Sequence, residues 1–119
     1  MKETLVIGAS LNPVRYSNIA INRLVEKGHW IVAIGLREGI VAGIKIIKEK
    51  KSFKKIDTVT LYLNPKRQVD YYDYILSLKP SRVIFNPGTE NPEFYRILDK
   101  NDISYEAACT LVLLSTGQY

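Results

Sequence analysis

The chain has 119 residues, 46% of them hydrophobic and 24% charged. That is the size and composition of one globular domain, residues 1–119, too short for two cores and too apolar for disorder. Seventeen basic against twelve acidic residues give a net charge of +5, and the single Cys109 excludes an internal disulfide, which fits a reduced, cytoplasmic setting.

The opening MKETLVIG reads as a strand rather than a secretory signal, because its apolar run, Leu5 to Ile7, is short and ends in a polar turn. Strand one is predicted at Thr4 to Ile7. Helix A follows at Asn18 to Lys27, with Ala20, Ile21, Leu24 and Val25 on one face and Gly28 ending it. Strand two is predicted at Trp30 to Ile34. Between Leu36 and Asp57, Gly39, Gly43 and a run of lysines break both periods. A loop is expected there, with a short extended piece near Gly43 to Ile47 and one turn of helix near Ser52. Strand three is Thr58 to Tyr62. Helix C spans Pro65 to Leu78 with Val69, Tyr72 and Leu76 inward, and Pro80 closes it. Strand four is Arg82 to Phe85; helix D, Pro92 to Lys100, turns Phe94, Ile97 and Leu98 to one side. Strand five is Ser104 to Ala107, and Cys109 to Ser115 forms a short packed helix.

Apolar runs rich in β-branched residues thus alternate with helical periods. The pattern predicts βαβ units in a three-layer, doubly wound parallel α/β sheet of about five strands. The longest apolar stretches, Ile31 to Leu36 and Ala107 to Leu114, fall short of the roughly 18 to 20 residues a membrane helix needs, so no membrane partner is expected.

The basic excess is concentrated. Lys45, Lys48, Lys50, Lys51, Lys54 and Lys55 face only Glu49, and the remainder carries eleven residues of each sign. With Phe53 alone nearby, this run lacks the interleaved aromatics of a nucleic-acid surface. It reads as a solvated face or as an attractor for a phosphate-bearing ligand.

A doubly wound sheet binds ligands at the carboxyl ends of its strands, where strand order reverses. Four of the five prolines follow asparagine, and Asn12-Pro13, Asn64-Pro65 and Asn86-Pro87 fall at that rim, after strands one, three and four. Each pair is a stiff polar corner; each is also a good helix start, the preferred reading for Asn91-Pro92. After strand one, Gly8-Ala9-Ser10-Leu11-Asn12-Pro13-Val14-Arg15-Tyr16-Ser17 supplies a glycine for close approach, hydroxyls, main-chain amides before a helix, and the Arg15 guanidinium. That is a phosphate site in outline, with Ser17 alternatively a helix cap. The dinucleotide pattern GxGxxG is incomplete, since only its first glycine is present. Arg37 and Glu38 after strand two suit a phosphorylated and a free ribose respectively. Lys66 and Arg67, in the first turn of helix C, oppose the helix dipole unless an anion lies near.

These residues resemble a family. GASLNPVRYSN, the glycine turn after strand two, the Asn-Pro after strand three and the ending VIFNPGTENPEF…YEAACTLVLLSTGQY are similar to the small stand-alone CoA-binding proteins, whose fold is that of the CoA-binding domain of succinyl-CoA synthetase α subunits. Gly8, Ala9, Ser10, Asn12, Pro13, Arg15 and Ser17 match the most specific element. The resemblance implies a Rossmann-like domain binding coenzyme A or an acyl-CoA. Ser10, Asn12, Arg15, Tyr16 and Ser17 would hold the pyrophosphate beside Gly8 and Ala9. Gly35, Leu36, Arg37, Leu63, Asn64 and Pro65 would flank the adenosine, and Asn86, Pro87 and Gly88 would face the pantetheine. Arg37 or Lys45 would meet the ribose 3′-phosphate. Many relatives carry a Pro-rich turn where this chain has Ile34-Gly35-Leu36-Arg37.

No catalytic set stands out, and no metal-ligand cluster accompanies the lone His29, which is expected on the opposite edge. Cys109 sits in an apolar setting that suits an inert thiol, with a place near the pantetheine as the other reading. The sequence therefore favours a CoA-binding sensor, carrier or enzyme partner without its own chemistry. The alternatives are a small nicotinamide-dependent or acyl-transfer enzyme and a nucleic-acid binder using the lysine run.

Overall fold

Leu5, Val6 and Ile7 are consecutive and all fully buried. Neighbouring residues of a strand point to opposite faces, so this strand is covered on both sides. In the computed structural model, which describes residues 3–119, it is the centre of a seven-stranded sheet. The chain runs β1 (Glu3–Ala9), α1 (Tyr16–Glu26), β2 (Trp30–Gly35), β3 (Gly39–Val41), β4 (Ile44–Ile47), β5 (Ile56–Leu61) and α2 (Pro65–Gln68). After a 3-10 turn at Val69–Tyr71 come α3 (Tyr72–Leu78), β6 (Arg82–Phe85), α4 (Pro92–Lys100), β7 (Ser104–Ala107) and α5 (Thr110–Ser115). Leu5 and Ile7 join Val59, Leu61, Ile75, Phe85, Phe94 and Leu98 in one core, beneath α3 and α4. Val6 and Ala9 join Ile21, Leu24, Ala33, Ile46 and Leu114 in the other, beneath α1 and α5. The three-layer, Rossmann-like α/β architecture is thereby established.

The strand order is β3-β4-β2-β1-β5-β6-β7. From β1 the chain winds outward to β2 and β4, then returns to β5 on the other side of β1. Strand order reverses there, which opens a crevice above the carboxyl ends of β1, β2 and β5.

The sheet has seven strands rather than five, and it is not wholly parallel, because the glycine-broken segment folds into an antiparallel hairpin of β3 on β4. Its two turn residues, Ala42 and Gly43, have φ of 50° and 80°, the left-handed pair that a tight hairpin turn requires. Alanine is a poor signal for that conformation. The turn of helix expected near Ser52 does not form; residues 48–55 run without regular structure from the carboxyl edge of β4 back to the start of β5.

Helix C is broken by the 3-10 turn, whose shorter period shifts the buried face. Gln68, Ile75 and Leu78 are buried, while Val69, expected inward, is 52% exposed and Tyr72 and Leu76 are half-buried. Gln68 can lie inside because its amide donates to the carbonyls of Leu63 and Thr89, both at 2.8 Å, and its oxygen accepts from Asn91 at 2.9 Å.

Candidate functional site

The crevice is a cleft of about 770 Å³, within the range of small-molecule sites. The end of β1 forms its floor. Gly8 has φ of +93°, and a side chain there would sit 2.9 Å from the main-chain carbon of Tyr62. Only glycine lets the β1 and β5 ends come together this closely. At Gly35 a side chain would strike the carbonyl of Ala9, so the end of β2 is equally closed to any larger residue.

The loop from Ser10 to Arg15 is held by its own polar groups. Ser10 Oγ accepts from the amide of Asn12 at 3.1 Å, and Asn12 Oδ1 accepts from the amide of Val14 at 3.1 Å. The side-chain amide of Asn18, buried inside α1, donates to the carbonyl of Ser10 at 2.9 Å. The helix begins at Tyr16, before the expected Asn18, so Ser17 lies within it and does not cap it. Arg15 occupies the cap position, no side chain caps the helix, and its first turn contains no acidic residue. Leading amides without side-chain acceptors, at the positive end of an eleven-residue helix, favour an anion.

Ser10, Asn12, Arg15, Tyr16 and Ser17 all line the cleft, as do Gly8 and Ala9. Gly35, Leu36 and Arg37 line it from β2, and Leu63 and Asn64 from β5. Pro87 and Gly88, after β6, complete the rim. Three residues named from the sequence lie elsewhere. Lys45 is exposed in mid-β4 opposite Ile40, and Pro65 is the first residue of α2, where its missing N–H costs no hydrogen bond. Asn86 is buried below the rim. Its amide donates to Thr60 Oγ1 at 2.7 Å and to the carbonyl of Leu61 at 2.8 Å, and its oxygen accepts from the amide of Thr110 at 2.9 Å. It fastens β5, β6 and α5 together instead of facing the cleft. Both Asn64 and Asn91 cap helices, accepting from Arg67 and Phe94.

Arg67, marked in the sequence only as a cation set against the helix dipole, also lines the cleft, as do Leu11, Tyr62, Tyr71 and Thr89, which the sequence did not single out. Burial pushes the Tyr62 hydroxyl up to about 12, with Thr110 and Thr60 hydrogen bonds pulling the other way. Tyr62 therefore keeps its proton at neutral pH. The cleft lining holds three arginines, Arg15, Arg37 and Arg67, and no aspartate or glutamate. Among the described residues the one ion pair, Arg82 with Glu106 at 3.4 Å, is outside it. This donor set, positive and rich in amides and hydroxyls, fits a polyphosphate ligand.

The family model described as a CoA binding domain matches residues 2–115. The chain belongs to that CoA-binding domain family. It is similar to a solved structure described as an uncharacterized protein, at 50% identity and a TM-score of 0.96, covering 100% of this chain and 98% of that one. It shares its fold with a Thermus thermophilus protein at 20% identity and a TM-score of 0.86, covering 99% of this chain and 90% of that one. It shares it also with a conserved hypothetical protein of Pyrococcus furiosus at 22% identity and a TM-score of 0.82, covering 98% and 99%. No curated protein matches the chain.

His29, half-buried, stands just before β2 at the amino edge, with its ring 5.0 Å from that of Tyr119. That edge is opposite the cleft. Cys109 is half-buried at the start of α5 and does not line the cleft. Among the described residues, no group of three His, Cys, Asp or Glu is placed to hold a metal ion, and no helix is long and apolar enough to cross a membrane.

Proposed function

We propose that this protein binds coenzyme A or an acyl-CoA through the loop between β1 and α1, and serves as a sensor, carrier or enzyme partner without a reaction of its own. The observation that carries this reading is the uncapped, acid-free start of α1 beside the Arg15 guanidinium in a cleft floored by Gly8. Ser10, Asn12, Arg15, Tyr16 and Ser17 would hold the pyrophosphate. Gly35 to Arg37 and Leu63 to Asn64 would flank the adenosine, and Pro87 and Gly88 would border the pantetheine. When bound, the coenzyme supplies a thiol that carries an acyl group as a thioester. The chain's own part is to orient that arm: the Asn86 and Gln68 networks fix the two loops at the far end of the cleft. The free Cys109 suits a cytoplasmic setting.

Titration calorimetry with CoA, NAD and NADP tests the reading. Binding of CoA with no heat from either nicotinamide nucleotide is expected. Heat from NAD alone would instead favour a small nicotinamide-dependent enzyme.

A further inference from the structure

Each of two facing walls of the cleft presents one arginine, and the walls differ in the cations that stand beside it. On the β2 side Arg37 lines the cleft, and its chain neighbours Leu36 and Glu38 add no second cation. On the β5 side Arg67 lines the cleft, Lys66 precedes it, and no acidic residue stands in the first turn of α2. The Arg67 amide donates to Asn64 Oδ1 at 3.0 Å, which fixes where its side chain leaves the main chain. Tyr71, one helical turn further on, also lines the cleft. The ammonium of Lys50 stands 4.8 Å from the Tyr71 ring centroid and donates to the carbonyl of Asp70. This contact brings the lysine-rich segment after β4 against the cleft wall. Among the described residues, no carboxylate pairs with Arg67, Lys66 or Lys50.

A ligand of the class proposed above carries two linked phosphates and a third on the ribose. The start of α1 with Arg15 accounts for the linked pair. The third needs a cation of its own, and Lys45 lies outside the cleft. We infer that Arg67, backed by Lys50 across the Tyr71 ring, is a second phosphate subsite on the β5 wall that takes the ribose 3′-phosphate, and that Arg37 on the β2 wall does not. This inference rests on the coenzyme A reading. Its physical basis is that a phosphate dianion gains most where several cations free of ion pairs converge, and a guanidinium can hold it through two N–H groups.

The experiment is calorimetric titration of the wild type, Arg67→Gln, Lys50→Met and Arg37→Gln with CoA and with dephospho-CoA. The wild type is expected to prefer CoA by about 10-fold or more, the worth of a charged hydrogen bond. Arg67→Gln should erase that preference while dephospho-CoA binding stays within about twofold, and Lys50→Met should reduce it several-fold. Arg37→Gln should leave the ratio between the two ligands unchanged. A wild type that binds both ligands equally overturns the inference and leaves the coenzyme A reading standing. So does an Arg67→Gln variant that loses both ligands alike, or an Arg37→Gln variant that erases the preference. A wild type that binds neither ligand overturns the coenzyme A reading itself.

Discussion

Asn18, inside α1, donates its side-chain amide to the carbonyl of Ser10 at 2.9 Å, and so ties the helix to the loop that precedes it. The same side chain accepts at its Oδ1 from the amide of Asn22, one turn later, at 3.1 Å. Asn18 is 5% exposed, so its loss leaves the Ser10 carbonyl and Asn22 amide to find other partners. Asn18→Ala should lower stability by about 1 to 3 kcal/mol and weaken CoA binding through a looser phosphate loop. Urea denaturation beside calorimetry reads both; a variant with wild-type stability and affinity refutes the coupling.

Arg15 makes a direct contribution if the start of α1 holds a diphosphate. Its guanidinium has no carboxylate partner among the described residues, so Arg15→Ala removes ligand contact with little cost to the fold. Affinity for CoA should fall by about 1.5 to 3 kcal/mol, the worth of a hydrogen bond to a charged group. Unchanged affinity, measured by calorimetry at one fixed salt concentration, would take Arg15 out of the site.

Gly8 is required twice over, by a left-handed φ of +93° and by the Tyr62 main chain at 2.9 Å from any added Cβ. Gly8→Ala strains the backbone and forces the β1 and β5 ends apart, together about 1 to 3 kcal/mol. The cleft floor would also shift, so CoA binding should drop in the protein that remains folded. Thermal unfolding with and without CoA reads both; an undiminished stabilisation by the ligand would show that the floor does not touch it.

What was legible in the sequence follows from what was local. Consecutive buried runs such as Leu5 to Ile7 and Val83 to Phe85 announce two-faced strands without help from distant chain, and Asn64-Pro65 and Asn91-Pro92 encode cap and first helical residue in one pair. The extended piece expected near Gly43 to Ile47 is β4, but its hairpin with β3 was hidden because the turn uses Ala42 at φ 50°, held by the pairing of Val41 with Ile44 and not by any local preference. The inward turn of Gln68 depends on Thr89 and Asn91, more than twenty residues away, and no helical period can announce such partners. For the cleft, residues directly after β1, β2 and β6 could be placed by topology. Arg67 was marked only by its charge against the helix dipole, and Tyr71 not at all, because its direction depends on how the α2 segment passes into a 3-10 turn. Asn86 was misplaced for the opposite reason: an amide beside a rim proline suits a ligand, but here protein groups take both its N–H donors and one bond to its oxygen.

Asn86 sets the next expectation. Asn86→Leu keeps the branched shape with a larger side chain and removes three hydrogen bonds, which takes the side-chain partner from the buried Thr110 amide and the Leu61 carbonyl. Stability should fall by roughly 2 to 4 kcal/mol. Chemical denaturation measures it directly, and a loss below about 0.5 kcal/mol, the range of ordinary surface changes, would mean that Asn86 does not bind β5 and α5 together.

Tyr62 links the cleft floor to alkaline stability. Burial raises its hydroxyl from 10.0 to about 12 in the folded chain. A group whose folded value is raised keeps its full contribution below the unfolded value and loses it as pH climbs toward the folded one. Between these values the unfolded chain gives up a proton that the native chain retains, so the native state weakens. Tyr74, pushed up to about 12 as well, adds the same trend from a more exposed position. Comparison with Tyr62→Phe isolates the first residue, because Tyr74 and the lysines are common to both proteins. The stability difference between wild type and Tyr62→Phe should shrink by on the order of 2 kcal/mol from about pH 8 to about pH 11.5. Urea midpoints across that range supply the measurement. If the two proteins lose stability in parallel, the Tyr62 hydroxyl is open to water in the folded state, and its burial beside Thr60 and Thr110 is wrong.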